Sequence, residues 1–168
     1  MIGSMATEID TYRRMFRELY GQVDEVLDGM DTEALLFKPF ETSPWKGPSG
    51  SVGWLIAHAV SSTVFLMRMG EFAAGKIGWE SVAGDQGSDE FNAANHDPAV
   101  MQARAKRTLS TVTSILDGLT AADLEAERQH PRRPERMLTT RWCITHAIDH
   151  LSQHIGHAQL TRQISALA

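Results

Sequence analysis

Three features of the sequence predict an all-α fold, a four-helix bundle. Four long stretches repeat apolar residues at helical spacing, the segments joining them are rich in Pro, Gly and polar residues, and nothing reads as extended except part of 123–138. With 168 residues, 42% of them hydrophobic, residues 1–168 read as one domain with enough chain for a real core.

The first helix spans about Glu8 to Met30, where Tyr12, Met15, Leu19, Val23, Val26 and Leu27 form an amphipathic stripe. Gly29 and Asp31 end it, and 31–33 could start a short turn. From Phe37 to Gly50, Pro39, Pro44 and Pro48 exclude a regular helix. The aromatics Phe37, Phe40 and Trp45 predict a loop folded back over the domain. Ser49 or Ser51 caps a second helix, about Val52 to Ala74, which carries His58 among Leu55, Ala59 and Ser62. A lone histidine in such an apolar stripe is usually a satisfied core residue. Gly75 to Asp97 reads as a long loop with Trp79 and Phe91 as anchors, of a length that often shapes a site entrance. Asp97-Pro98 opens a third helix to about Gly118, whose stripe is Val100, Ala103, Leu109, Val112, Ile115 and Leu116. Residues 119–138 are polar, broken by Pro131 and Pro134, and contain Arg128, His130, Arg132, Arg133 and Arg136. Such a basic loop is ordinarily a solvated surface; the alternative is an anion clamp at a site mouth, with Arg132 and Arg133 as its candidates. Thr139 or Thr140 caps the last helix.

Several function classes are excluded at this level. A net charge of −5 argues against a large nucleic-acid footprint. No apolar run approaches the roughly 18 residues of a membrane span, and Met1-Ile2-Gly3-Ser4-Met5 lacks the basic and apolar regions of a signal peptide. Gly3-Ser4-Met5 reads as an expression scar, so residues 1–5 are expected to be a tag remnant. Cys143 is the single cysteine and cannot form an internal disulfide, which fits a cytoplasmic location. There is no internal repeat, GxGxxG or P-loop.

The last helix holds the chemistry. Four of the seven histidines, His146, His150, His154 and His157, lie at spacings of 4, 4 and 3. At about 100° per residue they share one face, while Ile144, Ile148, Leu151 and Ile155 form a core face and Thr145, Asp149, Ser152, Gly156, Gln159 and Gln163 a polar one. Buried neutral imidazoles are costly without partners, and charged ones would repel each other; a divalent metal resolves both problems. The i, i+4 pair that can grip one ion occurs twice, as His146/His150 and His150/His154, and His58 is the histidine inside a different helix. Three protein ligands leave open positions, the pattern of catalytic sites. The competing readings are a metal-free histidine-lined cavity and a pH-sensing helix. A Ser/His/Asp or Cys/His nucleophile has little support, since no signature surrounds Cys143.

Two segments, Ser51-Val52-Gly53-Trp54-Leu55-Ile56-Ala57-His58 and His150-Leu151-Ser152-Gln153-His154-Ile155-Gly156-His157, with Leu36-Phe37-Lys38-Pro39 upstream, resemble the DinB/YfiT-like superfamily of metal-dependent enzymes. The resemblance covers essentially the whole domain. It implies an up-down-down-up four-helix bundle with metal ligands His58, His150 and His154, and with His146, His157, Trp54 and Ser62 around them as pocket residues. Where relatives often show His-His-x-Gly-Gln, this chain has Gln153-His154-Ile155-Gly156-His157, which keeps the metal pair and removes any role tied to the missing histidine or glutamine. Some relatives transfer or isomerise with a low-molecular-weight thiol such as mycothiol or bacillithiol. The implied function is therefore a divalent metal (Zn, Ni, Fe or Co) activating such a thiol toward a small electrophile. The alternatives are a metal-dependent hydrolase and a non-catalytic ligand-binding or dimerising bundle with a vestigial site, in which Trp54, Met67 or Met69 would plug the pocket. The expected partners are a small-molecule substrate and a second copy in a homodimer, whose close approach the Ser152 and Gly156 stripe allows, with no nucleic acid and no membrane.

Overall fold

In the computed structural model, which describes residues 7–42, 50–83 and 92–167, each long helix starts at a side-chain cap that satisfies its first exposed N–H groups. Thr7 and Asp10 form a reciprocal capping box for α1 (Glu8–Leu27). The Ser51 hydroxyl accepts from Trp54 N at the start of α3 (Val52–Ala73), after the short α2 (Thr32–Leu36). Asp97, with Pro98 in the first turn, caps α5 (Pro98–Asp117), which follows the short α4 (Trp79–Ala83). Thr139 accepts from Trp142 N and opens α6 (Thr140–Ser165). Of the paired candidates, Ser51 and Thr139 are therefore the caps. The chain leaves α1 through Asp28 and Gly29, whose φ of +67° is a left-handed conformation that glycine adopts without strain.

The polar stretch expected to be a loop is in part a β-hairpin. β1 (Glu127–His130) pairs antiparallel with β2 (Arg133–Thr139), with Arg128 opposite Leu138 and Gln129 opposite Met137, and the register shifts at 129/130. Pro134 is tolerated because a two-stranded ribbon has only edge strands. The bundle thus carries one small sheet, where 123–138 had been the only segment to read as extended. The long connection likewise holds α4 and a 3-10 turn, Ala93–Asn95. Trp45 and Phe91, two of the expected anchors, fall outside the described residues. Phe40 is exposed, whereas Trp79 packs edge-on against Phe72 at 5.3 Å.

Contacts between the helices fix their directions. Thr140 Oγ1 donates to Gly70 O, and His58 meets His150 and His154, so the end of α3 lies against the start of α6 and the two run antiparallel. Glu8 binds Arg141, and Arg162 donates to the carbonyls of Glu25 and Val26, so α1 and α6 run parallel. Arg13 reaches Asp117 at the far end of α5, and His96, just before α5, packs against Gly53 at the start of α3. With α1 up, α3 and α5 point down and α6 up. This is the up-down-down-up bundle, in which α3 packs on α5 and α6 while α1 packs on α5 and α6, around a shared core.

The core-facing sides differ from the expected stripes in detail. On α1 the buried positions are Ile9, Tyr12, Phe16, Tyr20, Val23, Val26 and Leu27, while Met15 is exposed. On α5 they are Met101, Ala105, Val112, Ile115 and Leu116, with Val100 and Ala103 exposed. On α6 the three core isoleucines and the leucine are buried as expected. One further amendment concerns α3, which is long and apolar enough by composition to cross a membrane. Here it is a core helix, with 67% of its most apolar stretch buried.

Gly53 tests the packing between α3 and the segment before α5. A Cβ added there would lie 2.8 Å from Nδ1 of the buried His96. Overpacking of this kind costs about 1–3 kcal/mol, and the gain in helix propensity returns up to about 1 kcal/mol. Gly53→Ala is therefore expected to lower stability, the reverse of a usual helical Gly→Ala change, and urea unfolding checks the sign.

Candidate metal centre

Trp142, His146, His150 and His154 are each one helical turn apart, so they form a single ridge along α6 beside the core face of Ile144, Leu151 and Ile155. The antiparallel α3 brings His58 onto the upper part of this ridge. Ring centroids are 5.0 Å apart for His58 and His150, 4.6 Å for His58 and His154, and 4.5 Å for His150 and His154. One nitrogen from each of the three lies within 4.8 Å of the others. All three rings are half-buried. The cluster is entirely histidine.

Other expected pocket residues gather around it. The Trp54 indole stacks on His58 at 5.1 Å and 12°, and Ser62 Oγ makes a long 3.4 Å contact with His58 Nδ1. His146 lies edge-on to His150 at 6.1 Å, and the exposed His157 lies edge-on to His154 at 5.8 Å. Met67 and Met69 are core residues. Arg132 and Arg133, by contrast, sit on the exposed hairpin turn and bind nothing in the cluster.

Electrostatics favour neutral, metal-accepting rings. Burial, reinforced by the charges of His58 and His146, holds His150 down at about 4 against a weaker opposing pull from Asp149. Burial, then the charges of His150, His58 and His157, does the same for His154, also at about 4. Burial alone lowers His58. Nδ1 of both His150 and His154 is buried without a hydrogen-bond partner, a costly arrangement that needs a reason. A divalent cation supplies one, since it takes neutral nitrogens and favours the deprotonated form. The donor set thus fits a metal of the Zn, Ni, Fe or Co group.

The same burial makes the metal-free protein acid-sensitive. Histidines with folded pKa values below the unfolded value of about 6.5 bind more protons when unfolded, so stability rises with pH through that window. Chelator-treated protein is expected to be weakest near pH 4, to gain stability up to about pH 6.5, and to change little from these groups above it. Denaturant midpoints at pH 5 and pH 8 measure the slope. A His150→Asn/His154→Asn double variant should flatten it.

Comparison with known proteins now adds the family. Residues 15–158 match the DinB superfamily. The chain belongs to that superfamily. No curated protein matches in sequence. Among solved structures, a DinB-like protein from Bacillus subtilis is similar with a TM-score of 0.69 at 18% identity, covering 93% of this chain and 92% of that one. YfiT from Bacillus subtilis, described as a "probable metal-dependent hydrolase with an unusual four-helix bundle topology", is similar with a TM-score of 0.67 at 16% identity, over 99% and 93%. A mycothiol-dependent maleylpyruvate isomerase is similar with a TM-score of 0.60 at 10% identity, over 89% of this chain and 60% of that one. At such identities these likenesses establish the shared DinB fold, and the three-histidine cluster is this chain's own feature.

Sequence reasoning missed Trp142 and left Arg136 undistinguished among the arginines of the basic 119–138 stretch. The Trp142 indole stacks on His146 at 4.7 Å, and the Arg136 guanidinium lies 4.4 Å above the Trp142 ring. The i, i+4 spacing of Trp142 to His146 was the available signal for the first.

Proposed function

We propose that this DinB-superfamily protein is a metal-dependent enzyme that activates a low-molecular-weight thiol for transfer to a small electrophile. The observation that carries the reading is the cluster of His58, His150 and His154, three imidazoles from two helices kept neutral by burial, two of them with an unpartnered buried nitrogen. These residues would hold one divalent ion. When bound, it supplies a Lewis acid that lowers the pKa of a coordinated thiol or water.

The chain's own residues set the rest. Trp54 stacks on His58 and fixes its ring plane, and Ser62 holds the Nδ1 edge. Leu151 and Ile155, buried below the ridge, hold His150 and His154 at their spacing. In the overall reaction the thiol loses its proton, its sulfur bonds to the electrophilic carbon as the alkene π bond or the epoxide C–O bond breaks, and the resulting carbanion or alkoxide takes up a proton. The cluster contains no carboxylate to serve as general base for water, which favours thiol activation. The shared fold with a mycothiol-dependent isomerase supports the same choice. Hydrolysis is the second reading, favoured by the likeness to YfiT.

The reading includes a reducing cytoplasm, where such thiols are abundant, and a homodimer through the exposed Ser152 and Gly156 stripe of α6, where the space around Gly156 is open. The test is a reaction screen with metal-loaded protein. Metal-dependent loss of free thiol with electrophilic alkenes or epoxides supports thiol transfer. Metal-dependent ester or amide cleavage without thiol would replace it with hydrolysis.

A further inference from the structure

The histidine ridge continues past the cluster toward a cation. Strand alternation places Arg136 on the same face of β2 as Leu138, which is fully buried, so its side chain is directed at the helices while Met137 faces solvent. There the guanidinium covers Trp142, Trp142 stacks on His146, and His146 meets His150, at successive spacings of 4.4, 4.7 and 6.1 Å. Trp142 is 38% exposed and His146 half-buried, so the strip is open along its length.

Neighbouring cations are already occupied. Arg141 binds Glu8 and Glu125, Arg13 binds Asp10 and Asp117, Lys76 binds Asp123, and Arg162 holds backbone carbonyls. Arg128 lies over Phe72, away from the ridge. Among the described residues no carboxylate is within ion-pair distance of Arg136. A guanidinium stacked on an aromatic ring keeps its N–H edge for a planar anion and is already ordered, so little freedom is lost when a carboxylate docks.

We propose that Arg136, Trp142 and His146 form the docking strip for the anionic tail of the enzyme's thiol, a carboxylate-bearing molecule whose sulfur reaches the His58, His150 and His154 cluster. This rests on the thiol reading above and names the chemical class of the thiol. The tail's carboxylate pairs with Arg136, and its body lies along Trp142 and His146. At about 1.5 Å per carbon–carbon bond, mercaptoacetate is too short to bridge the strip, while 11-mercaptoundecanoate can.

The experiment titrates cobalt-loaded protein, followed by its visible spectrum, with four synthetic probes. Two carry a thiol head, 11-mercaptoundecanoate and 11-mercaptoundecanol. Two carry a hydroxamate head on the same chain, ending in carboxylate or alcohol. The expected result is about tenfold tighter binding of the carboxylate tail, lost in Arg136→Gln and partly kept in Arg136→Lys, with cobalt content unchanged in both variants. Mercaptoacetate should bind wild type and Arg136→Gln alike. A carboxylate preference seen with the hydroxamates alone, thiols failing to bind, would support the strip and sink the thiol reading. Equal binding of both tails, a preference that survives in Arg136→Gln, or no binding by either head group overturns the proposal.

Discussion

Changing His150 or His154 to alanine is expected to abolish metal binding while leaving the bundle folded. Each contributes one of three nitrogens that lie within 4.8 Å of one another, and each is held neutral by burial. Replacing even the outer partners of metal ligands typically lowers affinity by about 10–100-fold, so losing a ligand should cost at least about 100-fold. The fold should survive, because neither ring belongs to the core formed by Ile144, Leu151 and Ile155. Each substitution also removes a buried unpartnered nitrogen, which relieves a desolvation cost in the metal-free protein. Competition with a chromophoric chelator measures the affinity, and circular dichroism follows the helices. His96→Ala is the contrasting variant. It removes a buried histidine that packs on Gly53 and lies outside the cluster, so it should lower stability and keep the metal.

Leu151→Ala is expected to produce the largest loss of stability, about 2–5 kcal/mol. Leu151 is fully buried within the hydrophobic core that the helices share. Truncation leaves a cavity that the four-helix packing can only partly close. Urea denaturation reads the loss directly. The same variant should still take up one ion well below its unfolding midpoint, because the three histidines stay on the same two helices. Together with His150→Ala, it separates holding the fold from holding the metal.

The contrast reflects how much of this molecule was legible in the sequence. The four histidines of α6 were readable because i, i+4 spacing on a helix leaves little freedom in where they point. His58 was different: by itself it read as a core histidine, and it joined the ridge only because a third ligand had to come from another helix and His58 was the histidine inside one, a choice the resemblance shared. On α1 the stripe held at Tyr12, Val23, Val26 and Leu27, with Leu19 partly buried, but Phe16 and Tyr20 are the fully buried residues of its middle turns and Met15 is exposed. The larger aromatic bodies fill the core, and flexible Met15 is left at the surface. The hairpin was only partly legible: part of 123–138 read as extended, but with polar strands, Pro131 in the turn and Pro134 in β2 the segment read mainly as a loop, and cross-strand pairing with the buried Leu138 decided the outcome. That hidden strand is also why Arg136, rather than Arg132 or Arg133, is the arginine that reaches the ridge: strand alternation assigns its direction, and a loop reading contains none.

The most direct test of the central claim is elemental analysis of the untagged protein, purified without added metal, beside a His58→Ala/His150→Ala/His154→Ala variant confirmed to be helical. The expected result is about one divalent ion per chain in the parent and none in the variant. Full retention of metal by the variant, or none in the parent even after reconstitution with Zn, Ni, Fe and Co, would contradict it.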